Sequence, residues 1–339
     1  MDKSVAVIGG GVAGIETAAE LGKLGYKVML FERAAELGGN VRNWDRLFPS
    51  RRPAKEVIEN ALSSLNGEVS VYTSTSISSV KKENGAFTIQ SADSKQFQAG
   101  AVVLTTGFEL FPAEKKEEYG YRIFENVITS GELEKMFADY GKPRMTNGKT
   151  PHRVAFIHCV GSRDEKVNRP YCSKVCCVTA VKQAIEVKEA IPSAEVFCFY
   201  MDLRMFGHGY EQLYKEAQVM GINFVRGRLS ETSEAPDGRV NVKVEDTLAS
   251  KPMRLSTDMV VLMVGMTPAV GTDKILNSLG LKTNEDGFAP VKDVHMASTQ
   301  MTTEGVFVAG ACTGPNNITD SITEARSAAL QVHGYLNGK

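Results

Sequence analysis

The stretch from Ser4 to Arg33, SVAVIGGGVAGIETAAELGKLGYKVMLFER, leaves few folds open. It reads as apolar strand, glycine turn, helix and second strand, the opening βαβ unit of a doubly wound parallel sheet. Gly9, Gly11 and Gly14 form G-x-G-x-x-G directly after the apolar run Val5 to Ile8. The first glycine allows a tight turn, the second lets a pyrophosphate approach the backbone, and the third lets helix and strand pack closely. A helix predicted from about Val12 to Leu24, with Val12 and Ala13 in its first turn, aims its positive end at the phosphates. Glu32 ends the second strand, 23 residues after Gly9, with Arg33 behind it. A carboxylate there accepts hydrogen bonds from ribose hydroxyls and repels a 2′-phosphate, which disfavours NADP. A lone glycine motif would also fit a plain βαβ turn, but here strand, helix, second strand and terminal acid all fall in place.

The chain of 339 residues is long enough for two compact domains, or for one carrying another as an insertion. Lysine plus arginine (39) nearly balances aspartate plus glutamate (40), which gives no electrostatic case for nucleic acid or an anionic membrane surface. No apolar run approaches the ~18 residues of a spanning helix. The start MDKSVAVIGGG enters an apolar strand at once and lacks the pattern of a signal peptide. A cytoplasmic protein is expected, and in that compartment stable disulfides are rare.

Three separated segments point to FAD as the dinucleotide. Gly38-Gly39, followed by Asn40, comes after the second strand, and such a doublet is typical of flavoproteins with two dinucleotide folds. AVVLTTGFELF, a buried strand ending in Thr105, Thr106 and Gly107, looks like the middle flavin-domain motif of those proteins. TTEGVFVAGACTGPNNITDSITEARSAALQVHGYL resembles their closing motif, in which a strand delivers Gly310 to the flavin chain and a helix starts near the ring, here about Ile318. Ala311 stands where these enzymes usually place an aspartate, so contacts to the ribityl chain are expected from backbone N–H groups. The expected fold is an α/β flavoprotein of two Rossmann-like domains, similar to thioredoxin reductase. Residues 1–125 and 256–339 would form a discontinuous FAD-binding domain, and 126–255 an inserted NAD(P)-domain-like fold.

The inserted fold should repeat the glycine turn, and it does not. HRVAFIHCVGSRDEKVNRPYCSKVCCVTAVKQAIEVKEAI has a strand, Val154 to Val160, and a helix predicted from about Ser173 to Ile191. The turn between them keeps one glycine, Gly161, and is charged and cysteine-bearing. Of the six cysteines, Cys159, Cys172, Cys176 and Cys177 fall within nineteen residues. Cys159 is expected at the carboxyl end of a strand, where α/β folds place ligands. Cys172 and Cys176, four apart, would face the same way in the first helical turn, with Cys177 about 100° around. A helix amino terminus favours thiolates. Four converging thiolates suit zinc or an iron–sulfur cluster. Structural zinc usually uses paired C-x₂₋₄-C knuckles, a dithiol enzyme C-x-x-C, and inert buried cysteines a less polar loop. C-x₁₂-C-x₃-C-C fits a [4Fe–4S] cluster best.

FIHCVGSRDEK, YCSKVCC, FYMDLRMFGHGYEQLY and VFVAGACTGP together resemble the A-type flavoprotein subunit of heterodisulfide reductase, from about Val5 to Leu330. The resemblance implies that Cys159, Cys172, Cys176 and Cys177 hold a [4Fe–4S] cluster near FAD. It also implies that Lys182, five residues after the cysteine doublet, lies against the flavin ring, where its charge would stabilise the anionic reduced form. Full-length subunits carry further ferredoxin-like domains and an amino-terminal extension, for which 339 residues leave no room. No cysteine lies between Gly39 and Val154, so a second cluster is not expected, and flavin-based bifurcation is in doubt. What remains looks like the short flavoprotein subunit of heterodisulfide-reductase-like complexes in sulfur-oxidising prokaryotes. Its implied partners resemble heterodisulfide reductase subunits B and C, with a homodimer within the complex. The implied activity is electron transfer through FAD and the cluster in sulfane sulfur or disulfide oxidoreduction.

One alternative is a stand-alone NAD(P)H-dependent flavin disulfide reductase, with Cys176 acting beside Cys177 or Cys172. Another is a flavin-bearing assembly scaffold with a structural cluster. Arg51 and Arg52 read as an anion or partner site or as a solvated corner. His208 reads as a proton donor or a surface loop residue. Cys198 and Cys312 are expected to pack in cores.

Overall fold

The computed structural model of the chain describes residues 3–338, which divide into two compact units. The first comprises residues up to Arg42, Lys55–Glu109 and Thr267 onward; the second comprises Asn43–Ala54 and Leu110–Met266. The short segment Asn43–Ala54 therefore belongs with the middle of the chain.

In the first unit, β1 (Ser4–Ile8), α1 (Val12–Lys23), β2 (Lys27–Phe31), β3 (Val69–Tyr72) and β4 (Ala101–Leu104) build a parallel sheet. Its order is Val306–Val308, β4, β1, β2, β3, with β1 paired to β2 from Ser4↔Lys27 to Ile8↔Phe31. The near-continuous apolar strands are those of a sheet covered on both faces. α1 and the closing helix Ile318–Leu336 cover one face through Ile15, Ala18, Leu21, Ala325, Ala328 and Val332. The antiparallel strands Ile77–Glu83, Ala86–Ser91 and Gln96–Ala99 lie over the other, bringing Val80, Phe87 and Ile89 against Ala6, Ile8 and Val102. Gly14 is fixed by packing: a Cβ there would run into the Gly9 carbonyl and the Thr105 hydroxyl.

The second unit repeats the plan. β5 (Val127–Thr129), α2 (Ser130–Tyr140), β6 (Arg153–Val160), α3 (Cys176–Ala190), β7 (Glu195–Tyr200), β8 (Asn223–Arg226) and β9 (Met259–Val264) form a parallel sheet in the order β5-β9-β6-β7-β8. The two-fold Rossmann-like architecture expected from the sequence is thus present. α2 begins on a capping box, in which the Thr129 hydroxyl accepts from the Glu132 N–H and the Glu132 carboxylate accepts from the Thr129 N–H. Strands Leu229–Glu234, Val240–Asp246 and Lys251–Thr257 form an antiparallel sheet whose Val240, Val242 and Val244 pack with Ala155, Ile157 and Val260.

A charged cluster lies in this second core. Lys182 on α3 is buried, and its Nζ donates to Glu134 Oε1 on α2 at 2.5 Å and to the Arg46 carbonyl at 2.9 Å. Gln183 Nε2 also donates to Glu134 Oε1, at 2.6 Å, and the Asp45 N–H reaches Glu134 Oε2 at 3.0 Å. Asn43–Ala54 is thereby fastened to α2 and α3. Glu186, one turn after Lys182, has Oε2 3.1 Å from Nζ, yet neither of its oxygens receives a directed hydrogen bond. Burial raises the Glu186 pKa to about 7 against the opposing pull of Lys182. Lys182 is thus flanked by two carboxyls, of which Glu134 takes the hydrogen bonds.

Between pH 4.5 and about 7 the folded chain holds a proton on Glu186 that the unfolded chain has lost. The stability this confers is complete below pH 4.5 and is lost as pH rises through 7. Glu186→Gln should remove that loss, leaving the variant more stable than the parent at pH 8 by up to about 3 kcal/mol. The gain should shrink toward pH 5, and denaturant unfolding at the two pH values checks it.

Candidate cofactor and cysteine sites

The first unit builds a dinucleotide cradle at the carboxyl end of β1. Gly9 (φ 115°) turns the chain out of the strand, and its N–H donates to the Phe31 carbonyl at 2.8 Å. Gly11 precedes α1, which has no side-chain cap and no acidic residue in its first turn, so the amides around Val12 and Ala13 remain suited to an anion. A Cβ on Gly11 would meet nothing nearer than Gly39 Cα at 4.0 Å, so backbone there is open to a close ligand. Gly39 (φ 55°) in turn needs its bare Cα, since a Cβ would come 3.0 Å from Gly11. Glu32 is buried and braced: Oε2 accepts from the Gly10 N–H and Oε1 from the Ala34 N–H, each at 2.7 Å. Each oxygen keeps a second lone pair for a hydroxyl. These features fit the ribose and pyrophosphate of a dinucleotide.

The other expected FAD residues lie in the same unit with varied partners. Asn40 Nδ2 donates to the Phe108 carbonyl at 2.8 Å, and Thr106 Oγ1 lies 2.7 Å from Thr272 Oγ1. Gly107 has φ 70°. Arg33 turns outward, pairing with Glu109 at 3.0 Å. Ile318 starts the closing helix behind Asn317, whose Oδ1 accepts from the Asp320 N–H. Gly310 (φ 81°) sits against Ala13, where a Cβ would come within 2.8 Å of the alanine methyl. Its N–H donates to Glu324 Oε2 at 2.8 Å, and Glu324 Oε1 accepts from Asn316 Nδ2 at 2.8 Å. Ala311 replaces the usual aspartate, and this carboxylate from the closing helix comes to the same turn. Nothing in the sequence spacing marked Glu324. Cys312 is buried, its Sγ near the carbonyls of Leu104 and Ala309 at 3.4 and 3.3 Å.

The second unit places the cysteine quartet where its own nucleotide turn would be. Cys159, the last residue but one of β6, has a left-handed backbone (φ 60°), and the β6–β9 register shifts there. Gly161 follows at φ 68°, but its Cα is covered by the Phe111 ring, into which any Cβ would run. The turn's one glycine therefore serves packing and offers no bare backbone to a phosphate. Cys176 and Cys177 open α3, whereas Cys172 stands before the helix, which corrects the expectation of a helix from Ser173 carrying Cys172 and Cys176 on one face. The physical reason is local. Ser173 Oγ accepts from the Met266 N–H at 2.9 Å and shares a 2.8 Å hydrogen bond with Ser162 Oγ, and Lys174 is left-handed at φ 62°. A helix cannot run through that geometry.

Cys159, Cys176 and Cys177 are buried and Cys172 half-buried, despite the polar loop around them. Burial, with the charges of Cys177 and Cys172 adding to it, pushes the Cys159 thiol up to about 12. Burial raises Cys176 well above the ordinary thiol value, with Cys159, Cys177 and Cys172 all contributing. Cys177 is raised by burial as well. Cys159, Cys176 and Cys177 therefore lie within electrostatic reach of the neighbouring thiols. The Lys174 N–H donates to Cys172 Sγ at 3.3 Å, Cys177 Sγ lies 3.5 Å from the Asp202 carbonyl, and Arg163, Ser173 and the Arg204 amide pull the Cys159, Cys176 and Cys177 pKa values down against burial. Such donors favour sulfur carrying negative charge. Among the described residues, no three His, Cys, Asp or Glu side chains form a grouping of the kind that grips a single metal ion.

Arg163 is held by Asp202 at 2.8 Å and leaves Nη1 buried without a partner. His158 is buried with both ring nitrogens unpartnered, and burial lowers its pKa to about 4, so it is neutral. Neither residue was singled out from the sequence, where one reads as loop charge and the other as part of a strand. Arg51 pairs with Glu216 at 2.8 Å and Glu189 at 3.6 Å, so its charge is already answered within the unit. Cys198 lies in the core, and His208 in the segment before Tyr210–Val219.

The family model for pyridine nucleotide-disulphide oxidoreductases matches residues 2–133 and 199–331. The unmatched stretch between them contains the cysteine quartet and α3. The chain is 31% identical to an iron-sulfur subunit of the CoB–CoM heterodisulfide reductase of Methanocaldococcus jannaschii, over 98% of this chain and 64% of the relative. It is 40% identical to the corresponding subunit of the H2:CoB-CoM heterodisulfide,ferredoxin reductase of Methanothermobacter marburgensis, over 71% of this chain and 38% of that one. These homologues bear out the resemblance to the A-type subunit of heterodisulfide reductase, and the chain spans about two thirds of the first relative's length or less. Among solved structures, the thioredoxin reductase of T. acidophilum matches with a TM-score of 0.69 at 20% identity, covering 99% of this chain and 98% of that one. The Lactococcus lactis thioredoxin reductase matches with a TM-score of 0.68 at 16% identity, covering 99% of this chain and 100% of its own. FAD is the cofactor the family implies, and the glycine cradle with Glu32 suits it. The fold, the glycine turn with its braced acid and the matched segments together give the conclusion that this chain is an oxidoreductase belonging to the pyridine nucleotide-disulphide oxidoreductase family.

Proposed function

We propose that the chain is an electron-transfer flavoprotein, binding FAD in its first unit and a [4Fe–4S] cluster on Cys159, Cys172, Cys176 and Cys177 in its second. One observation carries the reading: four cysteines, three of them buried, stand in the turn where a nicotinamide site would need bare glycine, and the turn's one glycine is covered by Phe111. When bound, FAD supplies two-electron sulfur chemistry, and an iron–sulfur cluster carries the electrons singly. The residues of the chain prepare for both groups. The first-turn amides of α1 and Glu32 orient the dinucleotide. The N–H groups of Lys174 and Arg204, with the Arg163 guanidinium, steady thiolate sulfur. Lys182, fixed by Glu134 and the Arg46 carbonyl, is the residue proposed to act on the flavin, as a held positive charge.

Within a larger assembly the chain would work in sulfane sulfur or disulfide oxidoreduction. Its proposed partners resemble heterodisulfide reductase subunits B and C, with a homodimer inside a cytoplasmic complex like those of sulfur-oxidising prokaryotes. The relatives are themselves named as one subunit of a heterodisulfide reductase, in one case as an iron–sulfur subunit, which supports that setting. Among the described residues no helix is long and apolar enough to cross a membrane.

The family's name favours a second reading, a stand-alone NAD(P)H-dependent flavin disulfide reductase. Two features weigh against it. The Phe111 ring covers Gly161, and burial keeps protons on Cys159, Cys176 and Cys177, whereas a dithiol reductase needs a thiolate. A ligand role suits such thiols better, because coordination takes the place of the proton.

Protein purified without oxygen should contain about four iron atoms and about four acid-labile sulfides per flavin. Cys176→Ser should lower both while flavin is retained. Flavin with no iron, even after anaerobic reconstitution, would sink the cluster reading. Anaerobic stopped-flow mixing with NADH or NADPH should leave the flavin absorbance unchanged over seconds, whereas rapid bleaching would move the disulfide reductase to first place.

A further inference from the structure

His158 directly precedes Cys159 on β6, and neither its Nδ1 nor its Nε2 has a hydrogen-bond partner although the residue is only 6 % exposed. The neighbouring Tyr200 ring, 6.4 Å away between centroids and tilted at 56°, approaches as a ring and answers neither nitrogen. A neutral imidazole always carries one N–H donor and one acceptor. Leaving a buried donor unmet is costly, and folded proteins tolerate it chiefly where a ligand or water will meet it.

Its neighbours fix which way the ring points. Val154 and Phe156 pack into the core with Cys176, Val178 and Cys198, whereas Ala155 and Ile157 pack into the core on the other face. The register slips just beyond Ile157, so it is the Tyr200 contact that places His158: Tyr200 meets Phe224 edge-on, and Phe224 packs against the core that α3 covers. Phe156 lies beside Cys198 and Ile157 beside Phe199, and Tyr200, the next residue of that strand, brings its ring to His158. Cys198 feels the charge of Cys177, and the Cys177 Sγ lies 3.5 Å from the Asp202 carbonyl, two residues past Tyr200. The imidazole and the thiols at the start of α3 therefore share one side of the sheet and one end of it.

We propose that His158 donates its ring N–H to a sulfur of the cluster, as a positioning residue that raises the cluster's reduction potential. The inference rests on the cluster reading given above. Its physical basis is charge. Reduction adds a negative charge shared over the sulfurs, and an N–H aimed at one of them stabilises the reduced form more than the oxidised form. Removing the donor should therefore lower the potential without removing a ligand.

His158→Phe keeps a ring in the cavity and deletes the donor, whereas His158→Gln keeps an N–H. With about four iron atoms retained, His158→Phe should hold about tenfold less reduced cluster at a fixed ambient potential, a downward shift of about 59 mV for one electron. His158→Gln should recover part of it. Pulsed EPR on the reduced natural protein, labelled with ¹⁵N-histidine, should show a nitrogen coupled to the cluster spin that is absent from His158→Phe. Retained iron with an unchanged potential and no ¹⁵N coupling would overturn the role of His158 and leave the cluster reading standing. If His158→Phe loses its iron, the coupling in the natural protein decides: present, it supports the donor; absent, it overturns it. A natural protein that holds no iron at all would overturn both.

Discussion

A parallel strand that ends at a ligand must leave the sheet sharply, and most of what this chain can do follows from how two strands meet that demand. β1 leaves through Gly9, at φ 115°, and the backbone beyond stays bare enough for phosphate. β6 leaves through Cys159, at φ 60°, a conformation that costs a side-chain-bearing residue about 1–2 kcal/mol. Asn168 and Lys174 adopt it too, as does Arg163. Four such residues in one turn form a strained segment held by its surroundings, with Phe111 over Gly161 and the Ser162–Ser173 hydroxyl pair binding the turn to Met266. Strain of this kind persists only where neighbouring structure over-determines it, and it gathers at functional sites. Here it lies at Cys159 and in the turn that leads to the cysteines at the start of α3.

The same substitution of purpose explains the electrostatics. A nucleotide turn neutralises phosphate with backbone amides alone. The cysteine turn surrounds sulfur with amides and a guanidinium, and it buries the thiols so deeply that, unligated, they hold their protons. Donors that favour thiolate and burial that disfavours it pull in opposite directions. The proposed cationic metal core would resolve the conflict, since it would supply the charge that burial removes from solvent. A nucleophilic dithiol has no such resolution, because it must carry its negative charge alone.

Periodicity and spacing made the fold legible. The strand–turn–helix signal recurs at β1–α1 and β6–α3, and the braced acid at Glu32 stood where the spacing put it. That the four cysteines share one strand–helix connection was legible for a simpler reason: they lie within nineteen residues. The start of α3 was not legible. Ser173, Lys174 and Val175 have no residue type that forbids a helix, and it is Ser162 and Met266, distant in sequence, that take the Ser173 hydroxyl. Tertiary hydrogen bonds outweighed local propensity there. Glu134 and Lys182 are 48 residues apart, and Gly310 and Glu324 meet through a helix that turns back, so neither pair leaves a local trace.

Lys182 shows how such long-range pairing secures a charge inside a core. A buried ammonium is costly unless it is paired, and Glu134 answers this one with a direct hydrogen bond. Glu186, with no directed hydrogen bond of its own, holds its proton up to about pH 7. Below about pH 7 Glu186 therefore adds no charge of its own beside the Lys182–Glu134 ion pair. Were Glu186 ionised as well, the three groups would carry net negative charge and the cation's field would be cancelled. The burial of Glu186 thus limits the negative charge gathered around Lys182, and it does so without a partner that the sequence could have revealed.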